Sequence, residues 1–183
     1  MPHTLVPVHI RPHLVSFLFR EFKAQNHVYE GKKIKVAKLT TASPLGKVLR
    51  MYMEKTYKKP VCDKSSQIFL KVAEYVHPSG SIEYPDGRSC FLQLPKAGEL
   101  FLNNYLELNF ETALMYSIHS WSESKTGQGI NEVIISFLEK YNLEEYNYTI
   151  LGIRRDYYRK RRAGYFNPSV HFNPLSNTVE AVR

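Results

Sequence analysis

The stretch INEVIISFLEKYNLEEYNYTILGIRRDYYRKRR, Ile130 to Arg162, decides how the rest of the chain is read. Its first half places apolar residues at Ile130, Val133, Ile134, Phe137, Leu138 and Tyr141. That is the i, i+3, i+4, i+7, i+8, i+11 series of an amphipathic helix. Asn142 suits a left-handed C-cap, and Leu143 to Asn147 supply a short turn. A second helix is predicted from Tyr148 to Arg162, with Ile150, Ile153 and Tyr157 on one face. Arg155, Arg159 and Arg162 form a stripe at i, i+4, i+7, and Arg154, Tyr158 and Arg161 form another beside it. With Lys160, six of the nine residues from Arg154 to Arg162 are Arg or Lys, and only Asp156 opposes them. A helix with this much like charge repels itself, and a polyanion is the natural partner to offset that cost.

Charge is uneven along the chain. Residues 1–60 hold twelve Lys/Arg against three Asp/Glu, a net of +9. Residues 61–151 hold six against twelve, a net of −6, and residues 152–183 hold seven against two, a net of +5. Two basic blocks therefore flank an acidic middle, which says more than the total of +8. The N-terminal block contributes Lys32, Lys33, Lys35, Lys47 and Arg50 as further candidate contacts, with Lys38 near them. Being mostly Lys, this set suits phosphate contact better than base readout. A solvated basic face is the plain alternative for both blocks.

Working outward, Leu5, Val8 and Ile10 suggest a short strand, and Pro12 opens a helix through Leu14, Phe17, Leu18 and Phe22. Gly31 breaks the chain, and Lys33 to Val36 alternates as a half-exposed strand does. Ser43 and Pro44 signal a helix start; Leu45, Val48, Leu49, Tyr52 and Met53 are its buried face, and Pro60 closes it. Gln67 to Leu94 reads as an antiparallel meander with turns at 77–80 and 85–87. Pro95 begins a wide-faced apolar helix to about His119, which Asn103, Asn104 and Asn109 threaten to divide. Trp121 to Gly129 reads as a loop. The tail, 163–183, reads as extended and ordered only where its aromatics dock; it echoes Phe166-Asn167-Pro168 as Phe172-Asn173-Pro174.

The expected fold class is α+β: a small antiparallel sheet with helices over 1–94, a helical part over 95–162 ending in the basic helix, and a tail over 163–183. The first two parts are compatible with a single core. The helical pair resembles the helix-turn-helix pattern in layout, a packed first helix followed by a basic second one. A helical hairpin with a solvated basic end is the competing reading.

Several function classes find no support. There is no Gly-rich phosphate loop, no Gly-x-Ser-x-Gly elbow and no Cys-x-x-Cys pair. Cys62 and Cys90 lack metal spacing and read as thiols in a reducing compartment. His9 and His13 lie four apart, but Pro12 between them argues against a helical metal pair. A tyrosine-nucleophile enzyme would use Tyr157 or Tyr158 beside a histidine cluster, and the remaining histidines are scattered. No run approaches a membrane span, and no signal peptide is expected. The expectation is a cytoplasmic, non-enzymatic DNA-binding protein without cofactor or metal, regulatory or associated with replication or a mobile element. RNA and a homodimer stay open as partners. The alternative from another class is a structural or assembly protein docking an acidic partner through the same helix.

Overall fold

The computed structural model describes residues 3–22, 24–29, 32–39, 43–58, 68–73, 82–83, 89–124 and 129–167. The fold is α+β. The chain divides into two compact units, Met1–Phe110 and Glu111–Arg183.

In the first unit, β1 (His3–Val8) leads into α1 (Pro12–Glu21), with Pro12 in the first turn. There its missing N–H costs nothing. β2 (Gln25–Tyr29) and β3 (Lys32–Leu39) pair antiparallel. α2 (Pro44–Tyr52) starts where the sequence signals it, the Ser43 hydroxyl accepting from the Gly46 N–H at 3.0 Å. β4 (Glu54–Thr56), β5 (Ile68–Ala73), β6 (Ile82–Glu83) and β7 (Ser89–Gln93) follow, then α3 (Lys96–Ser124).

One sheet has the order β1-β5-β3-β2 and is mixed, not wholly antiparallel as expected: β5 runs parallel to β3. The connection from β3 passes through α2, a helical crossover of the kind parallel neighbours need. β5 is central, and Ile68, Phe69, Leu70 and Val72 are all buried. Its nearly continuous apolar run fits a strand covered on both faces better than an alternating edge. Leu18 of α1, Leu45 and Leu49 of α2 and Leu102 of α3 meet Ala37 and Leu70 on one side of the sheet. A second sheet has the order β4-β7-β6 and is antiparallel. It ends α2 early. The helix stops at Tyr52, not near Pro60, because Glu54–Thr56 pair with Phe91–Gln93. The turns at 77–80 and 85–87, Gly31, Pro60 and Cys62 lie outside the described residues; Cys90 is buried.

The asparagines of α3 do not break it. Asn103 is buried, its amide donating to the carbonyls of Glu99 (2.8 Å) and His9 (2.9 Å) while its oxygen accepts from the Arg11 N–H (2.7 Å). Both amide hydrogens and the oxygen are engaged, so it ties the β1–α1 connection to α3. Asn109 donates to the Tyr105 carbonyl at 2.7 Å, a turn back along the helix. α3 also outruns the predicted end at His119. Trp121 to Ser124 are helical, Ser122 bonding back to the His119 carbonyl at 2.8 Å. Residues 125–128 of the expected loop lie outside the described residues.

The second unit takes α3 from Glu111 onward, α4 (Ile130–Lys140), a single 3-10 turn at Glu144–Tyr146 and α5 (Ile150–Arg162). Asn142 is left-handed (φ 52°), as its place after the helix predicts, and Asn147 (φ 58°) closes the turn. α5 begins two residues later than expected because Thr149 caps it, its hydroxyl accepting from the Gly152 N–H at 3.1 Å. Ile134, Phe137, Leu138, Tyr141, Leu143, Ile153 and Tyr157 are buried.

Candidate nucleic-acid interface

α5 is oriented by what it buries. Ile153 and Tyr157 lie four apart and point inward. Tyr157 is fully buried, its hydroxyl 2.9 Å from Ser122 Oγ and 3.3 Å from His119 Nδ1. A buried tyrosine usually needs such partners, and here both come from α3, so they fix the rotation of α5 about its axis. The same burial closes Tyr157 to the nucleophile's role considered from the sequence.

At 3.6 residues per turn, the side opposite Ile153 and Tyr157 carries Leu151, Arg155, Tyr158 and Arg162, with Arg159 beside them. Arg155 and Arg162 are exposed, and the Arg159 side chain is 70% exposed. Tyr158 is 43% exposed and leans edge-on against Tyr157, centroids 5.3 Å apart. Arg161 is exposed too. Arg154 sits at the flank, half-buried, donating to Asn131 Oδ1 of α4 at 3.4 Å. Asp156 pairs with Arg159 at 3.2 Å, an exposed contact that an incoming phosphate can displace at little cost. The Arg stripe expected from the sequence thus lies on the solvent side of a packed helix.

Lys160 parts from its neighbours. Its side chain is 17% exposed, ion-paired with Glu111 and set over the Tyr165 ring at 4.4 Å. Its ammonium holds the chain's return rather than facing outward. That return is built at Gly164 (φ 73°): the Tyr165 N–H donates to the Lys160 carbonyl at 3.0 Å and the Gly164 N–H to the Arg161 carbonyl at 3.1 Å. The pair is a Schellman closure, with glycine at the left-handed position. The tail is therefore turned, not extended, over its described part. Phe166 stacks on His119, and Tyr165 reaches Thr112 Oγ1 at 3.3 Å. The second Phe-Asn-Pro copy lies outside the described residues.

The N-terminal candidates all fall in the first unit. Lys32, Lys33 and Lys35 share β3, in register with Tyr29, Val28 and Asn26. Lys35 is exposed, its ammonium 5.3 Å from the Phe19 ring centroid; the side chains of Lys32 and Lys33 lie outside the described residues. Lys47 is exposed on α2. Arg50, one turn on, is half-buried, and burial lowers its pKa from the usual arginine value. It is less available than Lys47.

Sequence reasoning missed two features. Leu151 is 75% exposed at the head of the outward stripe, and extending the series Arg155, Arg162 one step back would have reached it. The polar cluster at the β1–α1 corner left no local signal, because it joins residues about ninety apart. There His9 meets Glu99 (3.0 Å), and Arg11 and His13 both meet Glu107 (3.0 and 2.9 Å). Among the described residues no three His, Cys, Asp or Glu side chains gather as a metal site, and no helix is long and apolar enough to cross a membrane. Comparison with known protein families, with curated proteins and with solved structures finds no match for this chain.

Proposed function

We propose that the protein binds nucleic acid without catalysing a reaction on it, that the ligand is duplex DNA, and that α5 is the contact element. The observation that carries this is the outward face of α5. Arg155, Arg159 and Arg162 lie exposed on one side of a helix whose other side is locked by Tyr157 and Ile153. A rigid helix bearing guanidinium groups at turn spacing suits phosphates, which Arg grips bidentately, and guanine edges, which it reads in the major groove. The preceding helix packs against it, as the first helix of a helix-turn-helix does, although the connection over 141–149 holds a 3-10 turn and is longer than the three- or four-residue turn of that motif. The Lys-rich set on β3 and α2 is proposed as phosphate-contacting. Regulation of transcription, or replication of a mobile element, is the proposed setting.

A pull-down with and without nuclease tests this. The ligand should be lost to nuclease and to competing heparin. A protein partner retained through nuclease treatment would favour an assembly role and overturn the proposal.

A further inference from the structure

Leu151 is the feature that phosphate binding leaves unexplained. It sits at the second position of α5, 75% exposed, in line with Arg155, Tyr158 and Arg162 at i+4, i+7 and i+11. No packing duty keeps it there, since Ile153 and Tyr157 bury the opposite face. One exposed leucine is ordinary on a protein surface. One at the head of an arginine stripe, with a half-exposed tyrosine two turns along, gives the stripe apolar points inside a strongly cationic field. The complementary ligand is a polyanion that also offers an apolar group.

Duplex DNA offers such a group in the major groove, the C5-methyl of thymine, which apolar side chains contact. The dimensions agree. The seven residue steps from Leu151 to Tyr158 rise about 10 Å along the helix, and three base steps also rise about 10 Å. Recognition helices present their N-terminal residues to base edges, and Leu151 stands at that end while Arg159, Arg161 and Arg162 stand at the other. We infer that Leu151 is a specificity-determining residue contacting a thymine methyl, with Arg155 and Tyr158 next along the groove and the last-turn arginines on phosphate. This rests on the duplex-binding proposal above and narrows it to DNA that carries thymine at the contacted step.

The test uses the full chain and a random-sequence duplex library enriched on it. The enriched pool is then prepared in two forms, one with thymine and one with deoxyuridine, which lacks only the methyl. The parent protein should bind the thymine pool roughly fourfold more tightly for each methyl buried. Leu151→Ala should bind both pools alike, and its circular dichroism should match the parent because the side chain is mostly exposed. Equal binding of both pools by the parent overturns the inference while leaving duplex binding intact. Failure to bind any duplex overturns the proposed function as well. If Leu151→Ala loses affinity for vesicles of anionic lipid but keeps the parent's thymine preference, the residue serves a membrane surface and the inference is overturned.

Discussion

Phe166 lies flat on the imidazole of His119, ring centroids 4.0 Å apart and planes 11° from parallel. It also meets Tyr116 edge-on at 5.4 Å and Tyr157 at 5.6 Å. The residues just past the basic helix are thus part of what holds that helix on α3. Phe166→Ala should destabilise the second unit by about 1–2 kcal/mol, combining lost burial with lost ring contact. Denaturant titration followed by near-ultraviolet circular dichroism would show it. An unchanged midpoint would mean that the stack contributes nothing to stability.

Gly164 makes this return possible. Its φ of 73° is strained for any residue with a Cβ. Gly164→Ala should cost about 1–2 kcal/mol. Gly129, in extended backbone with open space around it, should accept alanine with a far smaller loss. Thermal melts of the two variants provide the comparison, and equal melting temperatures would contradict the assigned roles.

Asn103 carries the corresponding load in the first unit. Asn103→Ala leaves the Arg11 N–H and the His9 carbonyl without their side-chain partner, at a cost of about 2–3 kcal/mol. Asn103→Asp should also destabilise, since a carboxylate can accept from Arg11 but cannot donate to His9. If Asn103→Asp were as stable as the parent, the donor half of the network would be irrelevant.

Lys160 and Arg155 separate stability from binding within one helix. Lys160→Ala should lower stability by about 1 kcal/mol or less and change duplex affinity little, because its charge is turned onto Glu111. Arg155→Ala should leave stability alone and cost about 1–3 kcal/mol of binding if it reads a base, with relaxed sequence preference. A larger loss of affinity from Lys160→Ala than from Arg155→Ala would reverse the assignment.

Much of this architecture was legible wherever local physics decides structure. Pro12, Ser43 and Pro44 announced their helices, and the apolar series from Ile130 to Tyr141 placed α4 almost to the residue. Asn142 was recognisable as a left-handed cap because only its position mattered. Non-local choices were not legible. The parallel pairing of β3 with β5 depends on a crossover, and β2 carries too little apolar alternation in Gln25–Tyr29 to stand out. The long α3 survived its asparagines because they bond back along the helix or to the distant β1–α1 connection. In the basic helix, spacing set out two stripes of contacts with Lys160 among the seven candidates, while packing drew Lys160 aside and left Leu151 outward.

The most direct measurement is the affinity of the intact chain for a fluorescently labelled duplex, followed by anisotropy from low to moderate salt. With about six phosphates neutralised, log K should fall against log salt with a slope of roughly −5. Removing Lys33 or Lys35 should reduce that slope by about one unit. A flat salt response, or no binding at low salt, would contradict α5 as a nucleic-acid contact and return its arginines to the solvated face of a helical hairpin.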